Sequence, residues 1–136
     1  MQQPDHTLDE SVLQAVAARI GQEAAVSAAY LLGSAADGRL RAESDVDLAL
    51  LPVRGASIGG LARVELAADL ELLLGRPVDL GVLHTGNLVY AKEAVAHGRL
   101  LFERDQNARA GFAALVFSMY ADLQENRREV IDGYAA

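Results

Sequence analysis

The chain has 136 residues, of which 51% are hydrophobic, no cysteine and a formal net charge of −7 at neutral pH. This length suits one globular domain with its own core, so we expect a single domain over residues 1–136. The absence of cysteine excludes disulfides, thiolate nucleophiles and cysteine-ligated zinc. The acidic balance argues against general nucleic-acid binding, which needs a basic surface.

The N-terminal stretch MQQPDHTLDE lacks a basic region followed by an apolar run. The chain also lacks an uninterrupted apolar segment of about 18 residues, the length that a membrane span requires. We therefore expect neither secretion nor a membrane-spanning helix, and we place the protein in the cytoplasm.

The first two elements are a helix and a buried strand. Thr7 and Glu10 have the form of a capping box, and the apolar residues that follow at helical spacing predict a helix over about residues 8–20. The apolar run AAVSAAYLL, residues 24–32, predicts a buried strand.

The remaining elements are predicted from apolar periodicity and from glycine and proline stop signals. They are strands at 45–51, 77–83 and 99–103, helices at 57–74 and 87–96, and a long helix from Asp105 to about Gly133, unbroken or broken near Gly111. That last helix would reach on the order of 40 Å, longer than a small sheet needs, so its end could serve a partner.

Two aspartates lie at the start of the second strand. Successive strand side chains point to opposite faces, so Asp45 and Asp47 should share one face while the valine and leucines between and after them build the core. Their carboxylates can converge on a divalent cation, which would also relieve their mutual repulsion. If the next strand is adjacent, Asp79 can join them.

The pair Gly33–Ser34 directly follows the first buried strand. Glycine permits close approach of the main chain, and the exposed N–H groups at the start of a helical turn can hold phosphate oxygens. A phosphate-binding turn beside paired carboxylates suits a nucleoside triphosphate with magnesium.

Together these residues form the pattern G-S-x10-D-x-D, which resembles the signature of the nucleotidyltransferase superfamily that includes DNA polymerase beta. The short chain, SDVDLAL and the later PVDL resemble most the minimal nucleotidyltransferase (MNT) domains, the antitoxin partners of HEPN-domain toxins. The resemblance implies an α/β (α+β) nucleotidyltransferase fold with a small mixed sheet, predicted here with four strands, helices mainly on one side and a long C-terminal helix. The alternating order alone would also allow a doubly wound parallel sheet.

The resemblance further implies that Asp45, Asp47 and Asp79 bind Mg²⁺ and act in catalysis, and that Gly33 and Ser34 hold the nucleotide. The reaction it implies is transfer of AMP from ATP to a tyrosine hydroxyl of a HEPN RNase toxin, with which the protein would form a hetero-oligomer. One departure concerns this site: family members usually read G-S-R-A-R-G, whereas Ala35 and Asp37 replace the arginines here. Asp37 would repel a triphosphate unless it points away, or unless Arg39 or Arg41 from the nearby loop substitutes for the missing arginines.

Two other functions remain open. The protein could neutralise its partner by occlusion alone, using an amphipathic stripe on the last helix that comprises Phe112, Leu115, Val116, Met119 and Leu123. It could instead modify a small molecule such as an aminoglycoside, although the chain leaves little room for an acceptor domain. Self-modification of a tyrosine is also possible in principle, except that Tyr30 should be buried in the first strand.

Overall fold

The protein is described from a computed structural model that covers residues 8–41 and 43–135. Its elements are α1 (Glu10–Gly21), β1 (Val26–Leu31), α2 (Gly33–Ala36), β2 (Val46–Pro52), α3 (Gly60–Leu74), β3 (Val78–Val82), α4 (Leu88–His97), β4 (Arg99–Glu103) and α5 (Gln106–Ala135). A 3₁₀ turn, Thr85–Asn87, precedes α4. The predicted order of helices and strands is confirmed, with α2 as a short addition after β1.

The four strands form one mixed sheet in the order β3-β2-β1-β4. Strand β1 runs antiparallel to β2 and β4, whereas β2 and β3 are parallel neighbours. The predicted mixed sheet and the adjacency of the two aspartate-bearing strands are therefore confirmed. Because β1 runs opposite to β2 and β3, its last residues lie at the end of the sheet where those two strands begin.

Helices cover both faces of this sheet. One face packs with α1 and α3 in a cluster that includes Ile20, Leu48 and Leu66, and the other packs with α4 and α5 around Tyr30 and Val116. All six residues of β1 are buried as a result. The prediction that helices lie mainly on one side is wrong, because both faces of the central strands are apolar and both must be removed from water. Tyr30 is buried as predicted, with 4% of its surface exposed.

Helix α1 begins at Glu10 rather than near residue 8. Its N-cap is Asp9, whose carboxylate accepts a hydrogen bond of 2.8 Å from the main-chain N–H of Ser11. This bond satisfies one of the free N–H groups of the first turn. The hydroxyl of Ser11 also donates to Asp9 at 2.7 Å, and this bond together with the main-chain one lowers the pKa of Asp9. The other half of the predicted capping box, Thr7, lies outside the described residues.

Helix α3 begins at Gly60, three residues later than predicted for the segment from Ser57. The two consecutive glycines at 59 and 60 explain the delay, since glycine loses more backbone entropy in a helix than other residues do. The predicted end is confirmed: Gly75 caps the helix in the left-handed conformation, with φ of 67°.

Helix α5 is unbroken over 30 residues and spans about 45 Å. The carboxylate of Asp105 caps it by accepting from the main-chain N–H of Asn107 at 2.9 Å. Val116 is buried and Phe112 packs beside it, but Leu115 and Phe117 of the same helix are 50% and 45% exposed. Every residue of the distal segment, residues 124–134, is exposed. Within residues 8–41 and 43–135, neither α5 nor another helix is apolar enough over sufficient length to cross a bilayer.

Candidate active site

Asp47 and Asp79 face each other across the parallel strands β2 and β3. They are register partners and each is the second residue of its strand. Paired residues on neighbouring strands have their main chains about 4.8 Å apart, so both carboxylates leave the same end of the sheet on the same face. Asp45 lies one residue before β2 begins and is exposed to solvent, as are Asp47 and Asp79. The structure therefore places the three predicted aspartates at the same end of two neighbouring strands.

The Gly33–Ser34 turn lies beside this carboxylate pair. The main-chain N–H of Leu32 donates to the carbonyl of Asp47 at 2.9 Å, which carries the β1–β2 pairing up to the turn. Gly33 then adopts a φ of 61°, and a Cβ at this position would lie 3.8 Å from Asp47 Oδ2. The left-handed conformation favours glycine, and it lets α2 start next to the carboxylate. Ser34 is exposed in the first turn of α2.

The electrostatics of Asp47 reflect this crowding. Partial burial of its carboxyl raises the pKa of Asp47 above its ordinary value, and the negative charges of Asp79 and Asp45 raise it further. Although Asp47 reaches the surface, the surrounding atoms shield its carboxyl from part of the water. A positive charge placed here would favour the ionised form and relieve the repulsion.

These residues fit a hard divalent cation in their chemistry, since carboxylate oxygens are the ligands that Mg²⁺ prefers. Within the described part of the chain, no three His, Cys, Asp or Glu side chains converge closely enough to form a ready-made ligand set. The negative charges of Asp79 and Asp45 nevertheless add to the effect of burial on the pKa of Asp47. A cation bound between them would relieve this repulsion.

Asp37, the departure noted in the sequence, is paired with an arginine. Arg39 Nη2 lies 2.8 Å from Asp37 Oδ2, and both side chains are largely exposed. Asp37 also caps the C-terminal end of α2, where its N–H donates to the carbonyl of Gly33 at 3.2 Å. Arg39 is therefore the ion-pair partner of Asp37, and the main chain of Asp37 is hydrogen-bonded directly to that of Gly33.

Arg76 fixes the segment that leads into Asp45, a role that the sequence did not reveal. Its guanidinium donates to the carbonyl oxygens of Arg41 and Ser44, and the second bond is 3.3 Å long. Next to it, the N–H of Val46 donates to the carbonyl of Pro77 at 2.9 Å. The turn between α3 and β3 therefore holds the chain in place immediately before the two aspartates.

Tyr90 is a second residue of the site that was not predicted for it. It lies on α4, and its phenol packs against Gly81, which is two residues beyond Asp79 on the same face of β3. Burial raises the pKa of Tyr90, and the charges of Asp79 and Asp47 raise it further. Gly81 is the feature of the sequence that could have indicated such a contact, because a strand position without a side chain leaves room for a group from another element.

Comparisons with known proteins agree with this geometry. The family described as Polymerase beta, Nucleotidyltransferase matches residues 14–107, which include all five predicted site residues. The protein adenylyltransferase MntA of Shewanella oneidensis is 35% identical over 107 residues, which are 79% of this chain and 75% of that protein.

Two similar solved structures are toxin–antitoxin complexes. A toxin–antitoxin crystal structure with AMP-PNP contains a chain that is 30% identical, with a TM-score of 0.71, and the match covers 95% of this chain and 100% of that one. A complex of the tri-AMPylated Shewanella oneidensis HEPN toxin with its MNT antitoxin matches at 27% identity and a TM-score of 0.68, over 93% of this chain and 98% of that one. The predicted resemblance is confirmed, and the chain belongs to the polymerase beta-type nucleotidyltransferase family.

Proposed function

We propose that this protein transfers AMP from magnesium-bound ATP to a tyrosine hydroxyl of a partner HEPN RNase toxin and thereby acts as its antitoxin. The observation that carries the proposal is the register of Asp47 with Asp79 beside the Gly33 turn. With the two carboxylates and the Gly33 turn at one end of the sheet, this register supports cation ligands beside main-chain N–H groups that can hold phosphate. A substrate made of phosphates and a cation needs both.

In this proposal the residues of the two strands and those of the turn have different roles. Asp45, Asp47 and Asp79 hold Mg²⁺, while Gly33 and Ser34 bind phosphate oxygens of the nucleotide. Magnesium bound there would stabilise the negative charge on the departing pyrophosphate and lower the pKa of the attacking hydroxyl. Asp79, which lies on the strand at the edge of the sheet, also accepts the proton of that hydroxyl.

The partner and substrate are supported by the relatives. One is named a protein adenylyltransferase, another chain was solved with AMP-PNP, and a third is an antitoxin in complex with an AMPylated HEPN toxin. We propose the same class of partner and donor for this chain, in a hetero-oligomer in the cytoplasm. We also propose that residues 1–136 act as a single nucleotidyltransferase domain, since the described helices pack on one sheet.

A second candidate function is neutralisation by binding alone. It is favoured by the exposed apolar residues of α5, among them Leu115, Phe117 and Ile131, which a partner could cover. The negative charge of Asp37, which follows the Gly33–Ser34 turn, also favours this alternative, because it would weaken ATP binding. In this alternative the three aspartates contribute nothing to protection.

Intact-protein mass spectrometry of a co-encoded HEPN partner, mixed with this protein, magnesium and ATP, separates the two functions. We expect AMP-sized additions to the partner that disappear with Asp47→Ala and persist with Glu65→Ala, an exposed carboxylate on α3. A partner that stays unmodified with the wild-type protein yet co-purifies and is silenced would contradict transfer and support binding alone.

The Arg39–Asp37 pair leads to a prediction about nucleotide affinity. We expect Arg39→Gln to weaken binding of Mg-ATP about threefold to fivefold, because it leaves the Asp37 charge without its cation. Asp37→Asn in the same protein should restore the affinity, which isothermal titration calorimetry can measure at low salt. A loss that persists in the double variant would mean that Arg39 contacts the nucleotide itself rather than neutralising Asp37.

A further inference from the structure

We infer that Tyr90 is an additional nucleotide-binding residue, whose hydroxyl donates a hydrogen bond to an oxygen of the nucleotide held at Asp47 and Asp79. This inference rests on the proposed function, since it assigns a further contact to the same site. It concerns a residue on α4, outside the loop and strands that carry the sequence motif.

The geometry comes from two adjacent residue pairs of the sheet. Asp47 is opposite Asp79, and the next residues on that face, Ala49 and Gly81, are opposite each other. Alanine and glycine leave a shallow space directly beside the carboxylates, and the phenol of Tyr90 fills it. A Cβ built on Gly81 would overlap the Tyr90 hydroxyl and lie 2.8 Å from its Cζ. Gly81 is therefore what allows the phenol to reach the sheet.

The ring of Tyr90 is anchored, whereas its hydroxyl is available. The side chain packs against the buried cluster formed by α4 and the sheet, so little conformational entropy would be lost when it contacts a ligand. Among the residues that the structure describes, no hydrogen bond joins the Tyr90 hydroxyl to another group, and no buried side-chain polar atom lacks a partner. The hydroxyl thus reaches solvent at the site.

The charge around Tyr90 determines how its hydroxyl would act. Since burial and both aspartates raise the pKa of Tyr90, it stays protonated at neutral pH and remains a hydrogen-bond donor. Its other close groups at this site are carboxylates, which only accept. A neutral donor among acidic groups suits an oxygen of the nucleotide, where a carboxylate alone would repel the negative charge.

Tyr90→Phe separates this role from simple packing, because phenylalanine keeps the ring and removes only the hydroxyl. We expect the variant to bind Mg-AMP-PNP about tenfold more weakly, as measured by isothermal titration calorimetry, with an unchanged thermal unfolding midpoint. The matched control is Tyr120→Phe on α5, where the hydroxyl accepts from Gln124 at 2.7 Å. That control should bind as the wild type does.

A spectroscopic readout tests the contact directly. The chain has four tyrosines and no tryptophan, so the near-ultraviolet difference spectrum on nucleotide binding reports mainly on tyrosine. We expect Mg-AMP-PNP to produce a tyrosine difference signal that Tyr90→Phe removes and Tyr120→Phe retains. Gly81→Ala, which keeps the hydroxyl but displaces the ring, should lose both the signal and most of the affinity.

The outcomes distinguish this inference from the proposed function. If the wild type binds Mg-AMP-PNP and modifies its partner while Tyr90→Phe binds equally well, the role of Tyr90 is refuted and the function stands. If the wild type neither binds nucleotide nor modifies the partner, both are refuted. Weakened binding by Tyr90→Phe together with a lower unfolding midpoint would also overturn the inference, because the hydroxyl would then be structural.

Discussion

Replacing Asp47 by asparagine is expected to lower AMP transfer at least about 100-fold, because the amide cannot supply the negative charge that a divalent cation needs. The same change should raise thermal stability at neutral pH. Asp47 has a raised pKa in the folded protein, caused by burial and by Asp79 and Asp45, so its ionised form is less favourable there than in the unfolded chain. Asparagine has the same shape and no charge.

The pH dependence of this stabilisation follows from the direction of the shift. A carboxyl whose folded pKa is raised contributes stability below its unfolded pKa and loses it as the pH rises through the folded value. The gain in unfolding midpoint of Asp47→Asn should therefore be larger at pH 7 than at about pH 3, below the ordinary pKa of aspartate. Differential scanning calorimetry at both pH values measures this difference.

Asp69→Asn is the matched control for that experiment. Asp69 is an exposed aspartate on α3 whose carboxylate accepts from Arg19 at 2.8 Å, so its replacement should slightly lower stability at neutral pH. An Asp47→Asn protein that is less stable than the wild type at pH 7 would show that Asp47 is a structural residue. An Asp47→Asn protein that keeps full activity would contradict the role of Asp47 in cation binding.

Leu48→Ala should produce the largest loss of stability, about 2 to 5 kcal/mol in the free energy of unfolding. Leu48 is 1% exposed on the central strand β2, and its register partners Leu31 and Leu80 are buried on either side. Alanine would leave a cavity that this two-sided core cannot readily close. For a chain of this size the unfolding midpoint should fall by roughly 10 °C.

Leu72→Ala provides the control with identical chemistry. Leu72 lies on α3 and is 85% exposed, so the change should stay within about 0.5 kcal/mol. Urea denaturation followed by circular dichroism compares the two variants. Equal losses in both would mean that the apolar cluster around Leu48 does not control the stability of the fold.

Much of the fold follows from local patterns in the sequence. The alternation from Val46 to Leu50 predicts a strand with one core-facing side, and the structure buries Val46, Leu48 and Leu50 while Asp47 stays exposed. The stop signals Gly75 and Pro77 end α3 where expected. These features depend on residues within one or two turns of each other, which is why periodicity and turn chemistry are sufficient to predict them.

The two-sided packing was missed although its signal was present. Apart from Ser27, the run VSAAYL of β1 is apolar without alternation, which is typical of a strand covered on both faces. It predicts burial but does not say which helices supply the cover. The placement of α4 and α5 opposite α1 and α3 depends on chain crossings between distant segments, and no short pattern encodes those.

The site was predictable only in part, because some of its residues stand in a local motif and others come from distant segments of the chain. Asp45, Asp47, Gly33 and Ser34 stand in one spaced motif, and Asp79 could be added once adjacent strands were assumed. Tyr90 reaches the site from α4 through a gap at Gly81, and Arg76 acts through main-chain carbonyls 32 and 35 residues away in sequence. Such contacts are tertiary, so only the folded structure reveals them.

The distal segment of α5, residues 124–134, is exposed at every position and projects beyond the sheet that anchors the earlier turns. Its helical hydrogen bonds are therefore supported mainly by local propensity, and a free helix end opens from its terminus. In a hydrogen-exchange experiment the amides of α5 should lose protection progressively towards Tyr134, whereas those of β1 and β2 should exchange only through global unfolding. A substitution such as Leu48→Ala would then accelerate exchange in the sheet and leave the last turns of the helix unchanged.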